Sequence, residues 1–285
     1  TYQEPGLSAL KPIGLYLESI SSGSQLLKIA KQISLTQPIF ILKPGKSTAA
    51  ANAMQSHTGS LAGSDEVFAT ALKESGVIRA QTMQDFFNLS KALSWENVPK
   101  ANKIAIISNA GGPGVISADA VSESGLELAE LSEQTQNTLA EHLPRMAGRH
   151  NPIDVLGDAL ADRFNSALEA VLAEEQVSAV IVILTPQLMT EIEKTAQTVS
   201  ILSAKYQKPI YCSFIGGAEA NKGEQILNSA KIPNFSYPEE AIRTMSLVYS
   251  WQSWRQKQIP EEQTQQTTQL PGEINTLLSK SDNQK

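Results

Sequence analysis

Short apolar runs alternate with longer stretches of helical periodicity along most of the chain. Ile13-Gly14-Leu15-Tyr16-Leu17 reads as a buried strand ending at Glu18. Gly23 and Ser24 open a helix with Leu26, Leu27, Ile29, Ala30 and Ile33 on its apolar side. Pro38 to Leu42 is the next strand, and Lys43-Pro44-Gly45-Lys46-Ser47 turns out of it. An Ala-rich stretch then leads to a loop of small residues around His57. Ser64 is placed to cap a helix, with Asp65 and Glu66 in the first turn, where the helix dipole favours acids. That helix carries Val67, Phe68, Ala71 and Leu72 and stops at Gly76. Val77 to Ala80 is a brief strand, and Thr82 caps a helix with Phe86, Phe87, Leu89, Ala92 and Leu93 on its apolar side.

Trp95 to Lys103, with Pro99 and two lysines, reads as a domain boundary, after which the pattern restarts. Ile104 to Ile107 is a buried strand. Ser108 to Gly114 is a glycine-rich turn, with a helix expected from about Val115 to Ser124. A short strand follows near Leu126 to Leu128, then a helix capped by Ser132 and ended by Pro144. His150 to Asp158 is irregular and polar, and Asn151 and Asp154 are expected to shape a turn there. The helix Arg163 to Ala173 precedes the most apolar strand, Ala179 to Leu184. A helix from about Thr190 to Tyr206, a strand Pro209 to Phe214, a helix near Glu219 to Ala230, a last strand Ile232 to Phe235 and a last helix Glu239 to Trp254 complete the series.

Strands of this length alternating with helices mean βαβ units, hence an α/β fold with parallel sheets covered by helices. Residues 98–257 hold about five strands, a complete flavodoxin-like sheet. Residues 1–97 hold three, which predicts a partial flavodoxin-like domain whose first strand or strands lie upstream of Thr1. Residues 258–285, rich in Gln, Thr, Glu and Ser, read as a linker or tail.

Composition narrows the function classes. The chain has 285 residues, 41% hydrophobic and 18% charged, with a net charge of -6 and no offsetting Lys/Arg cluster. This argues against nucleic acid as a partner. No apolar run approaches the roughly 20 residues that span a bilayer, and no secretory signal is present. The single cysteine, Cys212, excludes an internal disulfide and fits a reducing, cytoplasmic setting. The absence of an initiator Met at Thr1 suits a piece of a longer protein.

The candidate chemistry sits on loops at strand ends, where parallel sheets bind ligands. His57 is one of three histidines, on the Ser56-His57-Thr58-Gly59 loop that feeds a helix N-terminus. Such an end offers unpaired N–H groups and partial positive charge to a phosphoryl group. A lone histidine on a polar loop is equally an ordinary surface residue. Gly111, Gly112 and Gly114 allow close backbone approach and an anion nest, or simply a tight strand-to-helix turn. They do not form the dinucleotide fingerprint, because Pro113 replaces a donor. Glu18 is either a solvated acid or the carboxylate that holds one imidazole nitrogen protonated, leaving the other free to attack phosphorus. Lys43 and Lys46 could neutralise phosphates or be merely solvated. His142 and His150 lack metal-ligand spacing, so no metal site is expected.

Six motifs, taken together and in order, resemble the NDP-forming acyl-CoA synthetases, which include ADP-forming acetate–CoA ligase and relatives of succinyl-CoA synthetase. They are Leu15 to Glu18, Leu42 to Ser47, Ser56 to Gly63, Gly76 to Arg79, Ser108 to Gly114 and Asn151 to Asp154. The resemblance covers about residues 13 to 255. It implies that His57 is a phosphorylated histidine, carrying a phosphoryl group between acyl phosphate and ADP in a reaction that interconverts acyl-CoA, ADP and phosphate with acid, CoA and ATP. It implies that Glu18 stabilises the phosphohistidine, and that Ser56, Thr58, Gly59, Asn109, Gly111, Gly112 and Gly114 hold the phosphate. CoA and ATP/ADP with Mg are the implied cofactors. Most contacts to them are expected on a CoA-binding domain and an ATP-grasp domain or subunit outside this chain, within an oligomeric enzyme. The piece alone is then expected to lack complete activity. Two other readings stand beside this one: the synthetase-like regulatory region of a protein lysine acetyltransferase, disfavoured by the presence of His57, and a non-catalytic ligand-binding flavodoxin-like module.

Overall fold

The computed structural model describes residues 11–47, 49–50 and 64–258. The first unit is a parallel three-stranded sheet in the order β1 (Ile13–Tyr16), β2 (Ile39–Leu42), β3 (Val77–Ala80). Helices α1 (Gly23–Ser34) and α2 (Asp65–Glu74) cover its outer face, meeting Ile39, Ile41 and Val77 through Ala30 and Leu72. Helix α3 (Met83–Trp95) covers the other. The two caps expected here are made. Ser64 Oγ accepts the Val67 N–H at 3.4 Å, and Thr82 and Asp85 form a reciprocal capping box on α3.

The second sheet contains β4 (Lys103–Ser108), β5 (Glu127–Leu128), β6 (Ile153–Asp154), β7 (Ala179–Leu184) and β8 (Ile210–Phe214), all parallel. The order β5–β4–β7–β8 is flavodoxin-like. Strand β7 shows why its sequence is uniformly apolar. Ala179, Ile181 and Ile183 face one core, Val180, Val182 and Leu184 face another, and the strand is wholly buried. Helices α5 (Glu133–His142), α6 (Ala161–Ala173), α7 (Ile192–Tyr206) and α8 (Asn221–Ser229) pack on the outer face. Helices α4 (Gly111–Ser122) and α9 (Pro238–Gln258) pack on the inner one.

Three sequence expectations are corrected here. Ile232 to Phe235 is not a strand but a single parallel bridge between Asn234 and Cys212, extended by the Asn234 Oδ1 atom accepting the Phe214 N–H at 3.0 Å. The irregular 150–158 stretch contains β6, which occupies the same edge of β4 as β5 but further along it. Asn151 does more than shape a turn. Between β5 and β6, its Oδ1 accepts the Ile106 N–H at 2.9 Å, while Nδ2 donates to Ile104 O at 2.8 Å and Ala129 O at 3.1 Å.

Helices α3 and α9 form one layer between the two sheets. A single apolar cluster joins Phe40, Leu42 and Ile78 of the first sheet, Leu89 and Leu93 of α3, Met245, Val248 and Trp251 of α9, and Ile104, Ile181 and Tyr211 of the second sheet. Near its start α9 meets the N-terminus of α3 through Arg243 and Asp85. Near its end, Trp251 Nε1 donates to Ser34 O at 2.9 Å, Arg255 Nε to Leu35 O at 2.8 Å and Trp254 Nε1 to Glu74 O at 3.3 Å. The helices therefore run side by side in the same direction, each starting beyond the carboxyl rim of its own sheet. The two carboxyl rims lie on the same side of the molecule.

Candidate functional site

On the first sheet, Leu17 N donates to Leu42 O at 3.1 Å and carries the β1–β2 ladder one step past the strands. Glu18 follows at the rim, half-buried. The loop after β2 brings Lys46 to the end of β3, where its Nζ donates to Gln81 O at 2.8 Å and also to the Gln81 side chain. Desolvation, followed by the nearby Arg79 charge, holds the Lys46 ammonium below its ordinary pKa. Lys43 Nζ lies 5.8 Å from the Phe68 ring centroid.

Arg79 on β3 is the residue at this rim whose role the sequence did not disclose. Its guanidinium pairs with the Asp65 carboxylate, donates to Asp65 O at 3.4 Å, and lies over the Phe68 ring at 5.7 Å. Asp65 opens α2, so Arg79 ties the start of that helix to the sheet. The Arg79 hydrogen bond keeps the Asp65 carboxyl below the usual carboxylate range. The sequence marked it only as a charged residue on an otherwise apolar strand and as the end of the Gly76 to Arg79 motif, with no partner named. His57, with Ser56, Thr58 and Gly59, lies outside the described residues. The segment that holds them enters α2 through Ser64.

On the second sheet, α4 begins at Gly111, earlier than the Val115 start expected from apolar spacing. The glycine-rich turn is the first turn of the helix. Pro113 fits there because its fixed φ suits a helix and its missing N–H falls among donors that need no intrahelical partner. None of Gly111, Gly112 and Gly114 has a positive φ, so turning is not why they are glycines. At two of them a Cβ would make only ordinary van der Waals contact, so lack of space does not require glycine either. A Cβ on Gly111 would lie 3.5 Å from Asp154 Oδ2, and one on Gly114 would lie 3.9 Å from both Pro152 Cβ and Ser108 Cβ. Among the described residues, nothing lies within 4 Å of such an atom on Gly112. Among the described residues no side chain caps the helix, so its first N–H groups face the rim without one from them.

Asn109, expected among the phosphate ligands, is 1% exposed. Its Oδ1 accepts from Thr185 N at 2.8 Å and Thr185 Oγ1 at 3.2 Å, while Nδ2 donates to Thr185 O at 2.8 Å. Its amide locks the end of β4 to the end of β7 and so shapes the approach to Gly111. Ser108 Oγ, bonded to both N and O of Ala110, tightens the same turn. The structure thus brings Asn109, Gly111, Gly112 and Gly114 together on one rim, with Glu18 on the other sheet's rim. Among the described residues, no group of three His, Cys, Asp or Glu side chains is arranged to hold a metal ion. None of the described helices is long and apolar enough to cross a membrane.

An α/β pair of parallel sheets whose carboxyl rims share one side, one bearing a glycine-rich helix start, defines a flavodoxin-like α/β protein. Residues 8–93 match the succinyl-CoA ligase like flavodoxin domain, and residues 104–258 match the Ligase-CoA domain. The chain belongs to the NDP-forming acyl-CoA synthetase family. It is 38% identical to acetate–CoA ligase (ADP-forming) I of Archaeoglobus fulgidus, over 82% of this chain and 33% of that one. It is 34% identical to the alpha subunit of acetate–CoA ligase (ADP-forming) I of Pyrococcus furiosus, over 87% of this chain and 54% of that one. Among solved structures it resembles the dinucleotide forming acetyl-coenzyme A synthetase 1 of Ca. Korarchaeum cryptofilum in complex with phosphate and ADP. There the TM-score is 0.81 at 31% identity, covering 87% of this chain and 55% of that one. The chain spans from a third to about half the length of these relatives.

Proposed function

We propose that this chain is the phosphohistidine-carrying part of an ADP-forming acid–CoA ligase. In this reading an imidazole nitrogen of His57 attacks the phosphorus of an acyl phosphate, the P–O bond to the acyl group breaks, and the carboxylate leaves. The phosphoryl group then passes from His57 to ADP, and the steps reverse in acyl-CoA synthesis. Glu18 accepts a hydrogen bond from the other imidazole nitrogen, fixing the tautomer and stabilising the phosphohistidine. Ser56, Thr58, Gly59 and the N–H groups of Gly111 and Gly112 meet the phosphoryl oxygens, with Asn109 and Gly114 setting the backbone that presents them.

Residues 1–97 form the histidine-bearing domain in this reading, 98–257 the second domain and 258–285 the linker. The nucleotide with Mg and most of CoA would be held by an ATP-grasp partner and a CoA-binding domain beyond these residues, in an oligomeric cytoplasmic enzyme. The described residues supply no cluster suited to the metal. The observation that carries the reading is the shared side of the two carboxyl rims. One sheet's rim lies beside the helix that the His57 segment enters, and the other bears the uncapped start of α4.

The test is phosphoryl labelling of the chain combined with the CoA-binding and ATP-grasp parts, using ATP or acyl phosphate as donor. Acid-labile, base-stable label on His57 is the expected result. Label retained in His57→Ala would sink the assignment.

A further inference from the structure

We infer that Asn151 is a positioning residue: its side-chain amide takes the place of the missing middle residue of an edge strand and so fixes Pro152 to Asp154 against the first turn of α4. The inference rests on the reading of α4 as the phosphate-holding helix. In a parallel ladder, a residue donates its N–H to the carbonyl before its partner and accepts from the N–H after it. Asn151 does both with one amide, donating to Ile104 O at 2.8 Å and accepting from Ile106 N at 2.9 Å, as a residue paired with Ala105 would. The same Nδ2 reaches back to Ala129 O at 3.1 Å, tying this surrogate to the end of β5.

The surrogate is needed because β6 has only two residues, Ile153 and Asp154. A strand so short holds its register weakly, and a slip of one residue would exchange the buried Ile153 for Asp154. In register, Asp154 O accepts the Gly148 N–H at 3.0 Å and its Oδ1 accepts the Leu156 N–H at 2.8 Å. Its Oδ2 then lies 3.5 Å from where a Gly111 Cβ would stand, and Pro152 Cβ lies 3.9 Å from the corresponding point on Gly114. The edge therefore lies alongside the first turn of α4 at two places, within van der Waals reach of where those side chains would begin. No other side chain supplies a donor and an acceptor at this reach. Asp would set a carboxylate oxygen against two carbonyls, and Gln is one methylene too long.

Amide exchange in the 285-residue chain, read residue by residue, is the direct test. Asn151→Ala, and the near-isosteric Asn151→Asp should the first fold poorly, are expected to displace the Gly111 and Gly112 amide resonances. Asn151→Ala should also speed exchange at Ile106 at least a hundredfold. In the reconstituted enzyme both should lower the rate of phosphoryl transfer to His57 at least tenfold at saturating acyl phosphate, with its KM changed less than twofold. Val171→Ala, a truncation in the core of α6 away from the rim, should lower the melting temperature without these effects. Undisplaced glycine amides, with a transfer rate no lower than that of Val171→Ala, overturn the inference. Should the wild-type protein take no phosphate on His57, the functional reading fails. The glycine amides still decide whether Asn151 positions the helix.

Discussion

Arg243 on α9 grips Asp85 on α3 with two parallel hydrogen bonds, Nε to Oδ1 at 2.8 Å and Nη2 to Oδ2 at 2.9 Å. Asp85 is at the same time the capping-box acid of α3, accepting the N–H groups of Gln81 at 2.9 Å and Thr82 at 3.2 Å. Gln81 in turn holds Lys46. One buried carboxylate thus links a helix cap, the junction of the two units and a lysine at the first rim.

Burial pushes the Asp85 carboxyl up, but the Arg243 hydrogen bond and the backbone donors outweigh it and hold it below the usual range. A depressed folded-state pKa gives stability that is complete above the unfolded value of about 4 and is lost as pH falls through the lower folded value. Asp85→Asn is expected to cost about 1–3 kcal/mol at pH 7, and the gap to wild type should close in acid. Urea unfolding at pH 7 and at pH 3 checks this. A gap that stays constant would show that the charge is irrelevant.

Glu96, just past α3, has the opposite sign. Burial drives its carboxyl up to about 8, against hydrogen bonds from Ile210 and Asn97 that pull it down, and its Oε1 has no hydrogen-bond partner among the described residues. The folded protein then holds a proton that the unfolded chain releases, so stability falls between about pH 4.5 and the folded value of about 8. Glu96→Gln should flatten this profile and exceed wild type by about 2–4 kcal/mol at pH 8.5. Denaturation curves across that window decide it, and parallel pH profiles for the two proteins would refute it.

Gly76 (φ +68°) is positioned against Trp254, where a Cβ would lie 2.2 Å from the ring. Gly76→Ala combines left-handed strain with a clash and should cost about 3 kcal/mol or more. Trp254→Ala should recover the clash component but not the strain, making the pair non-additive by about 1–2 kcal/mol. A double-mutant cycle from melting curves measures it, and strict additivity would mean that the ring moves aside freely.

Gly112→Ala separates stability from function. Its Cβ meets nothing among the described residues, and alanine is the better helix former by about 0.5–1 kcal/mol, so the variant should be at least as stable as wild type. The methyl group would occupy the open side of α4's first turn, where the functional reading puts phosphoryl oxygens. Transfer to His57 should fall tenfold or more. An undiminished rate would place the phosphate elsewhere.

The strands and caps were legible wherever the signal was local. The wholly apolar β7, the Thr82 cap and the Ser64 cap depend on residues within a few positions of one another. The start of α4 was misjudged because three glycines and a proline read as a turn, although Pro113 suits a helix's first turn and none of the three glycines takes a positive φ. Asn151 was opaque for another reason. Its partners lie 45, 47 and 22 residues away, and nothing in Asn-Pro-Ile-Asp reveals that an amide will replace a peptide. The fifth strand shrank to a bridge because the Asn234 side chain makes a hydrogen bond that a longer strand would have made with backbone. Of the candidate site, the glycine-rich stretch after β4 stood out in the sequence, whereas Arg79 and Arg243 act through contacts that only the fold brings together.

The layer shared by α3 and α9 imposes an order on synthesis. Phe40, Leu42, Ile78 and Leu89 leave the ribosome first, yet part of the surface that covers them, from Met245 to Trp251, emerges more than 150 residues after Leu89. Until then the first unit carries an open apolar flank, the kind of surface that recruits chaperones or meets its like on a neighbouring nascent chain. Chains stalled just before Pro238 should therefore be far more protease-sensitive across β2 and β3 than chains stalled after α9 has cleared the exit tunnel.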